Sequence, residues 1–179
     1  MNMPLQVCDE MGVEVEARAV VLEMARPHAA VHALLERGKV QAALQVLSRL
    51  LPQRYVVAWL CQCVREGPMM EGDLAGLALA ECWVREPEEE QRRAAYEFAV
   101  ADGYRTLGGW LAAAAGWAGG SLAPASQETP VPPPPYLTAR AAVAIVNILA
   151  AREPKCFDER RASFVKSAVV LLDDGGMPP

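Results

Sequence analysis

"VQAALQVLSRLLPQRYVVAWLCQCV", Val40 to Val64, decides the fold class. Val40, Ala43, Leu44, Leu47, Leu50 and Leu51 recur at spacings of three and four, which puts them on one face of a helix. Pro52 interrupts the pattern, since it lacks the N–H a helix interior needs, and it suits the first turn of a new helix. Val56, Trp59, Leu60, Cys63 and Val64 then repeat the same spacing. The stretch therefore reads as two amphipathic helices joined by a tight connection.

Working outward, the same period recurs on both sides. Val31, Leu34 and Leu35 form the face of a preceding helix that Gly38 ends. "EGPMMEGD" (Glu66 to Asp73) reads as a turn, after which Leu74, Leu77, Ala78 and Val84 lie on a helix reaching Glu86-Pro87. "PEEEQRR" brings Pro and three acids to the positive end of the next helix dipole. Ala94, Phe98 and Ala101 continue that helix to Asp102-Gly103, and a Gly/Ala-rich helix follows from about Thr106 to Ala118. Thr138 is placed as an N-cap for a helix whose face is Ala142, Val143, Val146 and Leu149, stopped by Pro154. A last helix spans about Phe157 to Leu172, with Phe164, Ala168, Leu171 and Leu172 inward.

No stretch alternates apolar and polar residues long enough for a strand. The expected fold is all-α, about eight short helices in stacked helical hairpins with a long Pro-rich loop. "CQCVREGP" and "ECWVREPE" are loosely alike, but too briefly and too closely spaced for a solenoid repeat. The expected organisation is a partly ordered N-terminal segment over 1–26 and a single helical domain over 27–172. Within that domain, 119–137 is a Gly/Pro-rich loop, and 173–179 is a disordered tail.

A chain of 179 residues can bury about 70% of its unfolded surface and needs no staples. Its net charge of −5 opposes general affinity for nucleic acid, which requires phosphate-neutralising cations, and opposes docking on anionic lipid. Five cysteines, an odd number in a chain with a full-sized core, point to a reducing cytoplasm and not to a disulfide framework. The first twenty residues lack the basic and apolar regions of a signal peptide. The most apolar window, Leu107 to Leu122, is too short and too rich in Ala and Gly to span a bilayer. A soluble, cytoplasmic protein without membrane insertion is expected.

Candidate chemistries are few. His28 and His32 sit four apart on a helix face, but Ala29 stands where a zincin has Glu, and the chain has no third His. They are read as ordinary helix residues. Cys61 and Cys63 are about 200° apart around a helix, poor geometry for a shared metal, and Cys63 falls on the core stripe. "EPEEEQRR" reads as a solvated helix start with pairs Glu88–Arg92 and Glu89–Arg93. Arg160 and Arg161 in "DERRASFVK" read as exposed. No G-x-S-x-G, P-loop, G-x-G-x-x-G or H-E-x-x-H motif occurs. Accordingly no catalytic residue, cofactor or metal ligand is assigned, and a non-enzymatic protein is expected.

The candidate site is "GGWLAAAAGWAGGSLAP", Gly108 to Pro124, with "PVPPPPY" beyond it. Trp110 and Trp117 are seven apart and share a helix face with small residues between them, so another helix can approach closely while the indoles fill gaps. The arm of Pro130, Pro132, Pro133, Pro134 and Pro135, ending at Tyr136, has polyproline character. Two readings stay open: a clasp that packs on its own domain, or a surface that recognises a partner. In the second, Trp110, Trp117, Tyr136 and those prolines bind another protein.

"YVVAWLCQCVREG", "WVREPEEEQRRAAYEFA" and "GWLAAAAGWAGGSLAP…VPPPPYLTARAAV" together resemble an uncharacterised bacterial all-helical family of unknown function. The most specific pieces are Gly119-Gly120-Ser121-Leu122-Ala123-Pro124 and Leu137-Thr138-Ala139, and the likeness covers roughly Leu34 to Ala151. The resemblance implies a loose association with type VI secretion gene clusters and supplies no catalytic residues. It suggests a protein-binding adaptor or chaperone for a secreted effector, with a secretion-system component or effector as partner. The alternatives are an immunity-type inhibitor of a toxic effector, or a small metal-binding enzyme using His28 and His32.

Overall fold

The computed structural model describes residues 3–124 and 126–173, so the tail expected over 173–179 lies outside the described residues apart from Asp173, which ends the last helix. Every regular element among the described residues is helical: α1 (Met3–Met11), α2 (Val15–Glu23), α3 (Pro27–Glu36), α4 (Val40–Leu50), α5 (Gln53–Arg65), α6 (Glu71–Arg85), α7 (Glu89–Asp102), α8 (Leu107–Gly116), α9 (Leu137–Ala151) and α10 (Phe157–Asp173), with a 3-10 turn at Pro154–Cys156. The all-α expectation holds, with ten α-helices described where about eight were expected. The two additional ones, α1 and α2, are only nine residues long, too short for their apolar spacing to stand out.

The chain forms two units, one from Met1–Pro52 with Val146–Pro179, the other from Gln53–Ile145. In the first, α4 packs against α1, α3 and α10. Its Leu44 and Leu47 are wholly buried. Polar bonds fasten α1 along it: Gln45 Nε2 donates to the Met11 carbonyl at 2.8 Å, and Arg49 pairs with Glu10 at 2.6 Å. The end of α3 at Gly38 is as read, with the Lys39 N–H returning to the Leu34 carbonyl at 2.8 Å.

The second unit is built around α8, which packs against α5, α6 and α7. Except for half-buried Trp110, every residue of Leu107–Gly116 is buried. A ten-residue Gly/Ala helix is marginal by itself, so its neighbours must hold it. They do so by very close approach. A methyl group on Gly76 of α6 would fall inside the van der Waals envelope of the Gly108 carbonyl, so the two backbones touch where side chains would stand. Buried Asp73 seals that crossing: one carboxylate oxygen accepts the Gly108 N–H at 3.0 Å and the other the Met70 N–H at 3.2 Å.

Two expectations are corrected here. Thr138 is not an N-cap. It lies inside α9, is wholly buried, and its hydroxyl donates to the Ala114 carbonyl of α8 at 3.0 Å. The core face of α7 is also displaced by one position. Arg92, Ala95 and Ala99 are buried, whereas Ala94 and Ala101 are exposed and Phe98 only half-buried. A buried arginine sits where an apolar residue would normally mark the stripe, and the alanines on either side are indistinguishable by hydropathy.

Candidate protein-binding site

The long connection from α8 to α9 is rooted on α7. Arg92 is 3% exposed, and its guanidinium spends all its reach on this root. Nε and Nη2 each donate to a Glu89 carboxylate oxygen at 2.6 Å, Nη1 donates to the Gly116 carbonyl at 2.5 Å, and Nη2 also reaches the Ser121 carbonyl at 3.2 Å. Beside it, Arg93 Nη1 donates to the Ala123 carbonyl at 2.8 Å, and about one turn along the Tyr96 hydroxyl donates to the Leu122 carbonyl at 3.0 Å. Three successive groups on α7 thus satisfy the carbonyls that the chain leaves unpaired as it exits α8. Gly120 takes φ +63°, a left-handed conformation that costs glycine nothing, and turns the backbone against the Arg92–Glu89 pair.

The arginine bonds hold the Glu89 carboxyl below its usual range. Glu89 itself is 60% exposed, so Arg92 is a buried cation whose counter-ion opens to solvent. Of the two expected pairs, Glu89–Arg93 forms at 3.7 Å, whereas Arg92 bonds Glu89, three residues back, in place of Glu88. The charge run is solvated from Glu86 to Glu90, as expected, while Arg92 and Arg93 at its end anchor the loop.

Ser121 closes the turn. Its hydroxyl accepts the Ala123 N–H at 3.1 Å and the Val131 N–H at 2.9 Å, while the Leu122 N–H donates to the Val131 carbonyl at 2.8 Å. The Gly-Gly-Ser-Leu-Ala turn is therefore tied at one side to α7 and at the other to the start of the proline run. Pro130, Pro132, Pro134 and Pro135 are exposed and Pro133 is half-buried. Tyr136 is half-buried beneath the Arg140 guanidinium, 4.5 Å from its ring centre.

Trp110 and Trp117, expected on one helix face, meet edge to face with ring centres 6.2 Å apart. A third ring, which the sequence did not flag, joins them: Tyr104 lies 6.1 Å from Trp110 and 5.6 Å from Trp117. Tyr104 is the one described non-glycine residue with positive φ, +56°. Asp102 braces that bend, its carboxylate accepting the Arg105 and Thr106 N–H groups at 2.8 and 2.9 Å. The Thr106 hydroxyl then caps α8 by accepting the Gly109 N–H at 2.9 Å. A bulky residue in the left-handed region is strained, and such strain collects at working sites. All three rings are half-buried. Alongside the loop root lies a shallow groove of about 370 Å3 lined by Arg93, Tyr96, Val100, Leu122 and Pro124 among others.

Elsewhere the candidates stay apart. His28 and His32 are both exposed on α3, and no cluster of three or more metal-ligating side chains occurs among the described residues. Cys61 and Cys63 are both buried, and burial pushes each thiol up to about 12, which leaves it protonated and unreactive. Arg160 and Arg161 are not the exposed residues expected. Arg161, 14% exposed, bonds Asp158 and Gln41, and Arg160 bonds Glu153 and the Leu149 carbonyl. No described helix is long and apolar enough to cross a membrane.

The fold and site define a class: an all-helical protein that displays a proline loop pinned by a buried arginine. The chain belongs to the DUF6931 family of unknown function, whose model matches residues 30–172. That span includes α7, the loop root and the proline run. No curated protein and no solved structure gives a significant match to it.

Proposed function

We propose that this chain is a non-enzymatic, cytoplasmic protein-binding adaptor or chaperone. The observation that carries the reading is the loop from Trp117 to Tyr136. Its root is fixed by a buried ionic anchor, yet its proline crest is exposed. A clasp that served only its own domain would bury the crest. Long connections held on rigid elements are where binding surfaces collect. The half-exposed rings of Tyr104, Trp110 and Trp117 add the rigid aromatic area that dominates protein interfaces. The type VI setting, with a secreted effector as client, rests on the family resemblance alone.

Affinity capture from the host cell tests this reading. The unaltered chain should retain a secretion component or effector that Trp110→Ala/Trp117→Ala loses while staying helical by circular dichroism. A well-folded bait that holds nothing above a mock control removes the reading. Coexpression with a captured effector then separates roles: a chaperone raises effector level, and an inhibitor rescues toxicity.

A further inference from the structure

We propose that Val131–Pro135 is a preformed polyproline ligand, shown to a partner whose groove is lined with aromatic rings and N–H or O–H donors. This deepens the protein-binding reading above and rests on it.

The backbone of the segment has little choice. Val131, Pro132, Pro133 and Pro134 each precede a proline, which confines them to extended or polyproline conformations, and the pyrrolidine rings fix φ at four successive positions. Pro135 precedes Tyr136 and is free of that restriction, and there the chain turns into α9. A polyproline helix has three residues per turn, so it presents three edges. They are Pro130 with Pro133, Val131 with Pro134, and Pro132 with Pro135. Pro133, on the first edge, is the half-buried member, whereas both members of the other two edges are exposed, Val131 by 45%. One edge leans on the domain and two face outward.

Both ends of the segment are held. Val131 is bonded through its N–H to Ser121 and through its carbonyl to Leu122. At the other end the Pro134 carbonyl accepts the Leu137 N–H at 3.1 Å, and the Pro135 carbonyl accepts Gln53 Nε2 at 3.4 Å. The ordering cost that a free peptide meets on binding is therefore already met within the fold.

The same chemistry defines the partner. Four consecutive prolines offer no N–H, so the segment cannot extend a sheet as an added strand, and it cannot join a helix. What it offers is ring faces and carbonyl acceptors. Flat aromatic slots with indole or phenol donors between them are the complement to that surface.

The test uses the full chain titrated with three purified polyproline readers, an SH3, a WW and an EVH1-class domain, followed by NMR of the labelled domain. At least one should bind. Pro132→Ser/Pro135→Ser should weaken that binding about tenfold or more, while Ser126→Ala in the same loop leaves it within about twofold. The melting temperature of the double variant should stay near that of the unaltered chain, because both prolines are exposed. Absence of binding to all three domains overturns the proposal, as does equal binding by the double variant. Self-association that the double variant abolishes would also overturn it, by making a second copy the occupant. If a partner captured from cells is still held by the double variant, the ridge assignment falls while the adaptor reading stands. If neither capture nor domain binding is seen, both fall.

Discussion

Arg92 is the residue on which the loop depends. A guanidinium at 3% exposure is expensive to desolvate, and it is tolerated because Glu89, Gly116 and Ser121 engage four of its five N–H donors. Replacing it by Ala leaves two carbonyls and a carboxylate without their partner. Arg92→Ala should therefore lower unfolding stability by about 3 kcal/mol, measured by urea denaturation. Arg92→Lys should recover only part of that, since an ammonium cannot make the forked contact with Glu89. The anchor also titrates. Glu89 and Asp102 both have carboxyls lowered in the fold, Glu89 chiefly by Arg92 and Asp102 chiefly by the Thr106 N–H. A lowered carboxyl adds stability that is complete above its unfolded value, about 4. That stability is lost as pH falls through the lower, folded value. Calorimetry should show the unaltered chain melting higher than Glu89→Gln at pH 6, with the gap closing toward pH 3.

Among the elements, α8 is decided by what it lacks. Its glycines let α6 lie against it backbone to backbone, and no side chain larger than hydrogen fits at Gly76. Exchanging Gly for Ala on an open helix surface gains up to about 1 kcal/mol. Here the sign reverses, and Gly76→Ala should cost about 3 kcal/mol, at the upper end of overpacking penalties. Thermal unfolding followed at 222 nm measures it. Periodicity made α3 to α6, α9 and α10 legible in the sequence, because each buries a stripe that includes Leu, Val or Trp. It also made legible the meeting of Trp110 with Trp117. It failed on α7, where the first residue of the buried face is charged and its burial depends on carbonyls 24 and 29 positions away. Tyr104 escaped for a similar reason: its place beside the tryptophans follows from a left-handed turn, which no hydropathy pattern encodes. Thr138 looked like a cap because its hydroxyl suits one, but α9 begins before it, and the hydroxyl donates to a carbonyl of α8 instead of accepting a first-turn N–H.

At the scale of the whole molecule, the two units differ in how the chain supplies them. Gln53–Ile145 is one continuous run, whereas the other unit draws on both ends. A fragment of 53–145 should keep helical circular dichroism and a cooperative melt. Ending the chain at Ile145 instead should strip α10 from α4 and leave Leu44 and Leu47 open, so that limited proteolysis cuts first within residues 3–50. The divided unit also has a consequence for synthesis. On the ribosome, α1 to α4 emerge before α10 and wait for the segment that completes their core. At ordinary elongation rates the residues between occupy roughly 5–20 s. Throughout that interval the apolar face of α4 has no α10 to cover it, so α1 to α4 are the part of the nascent chain that most needs shelter from aggregation.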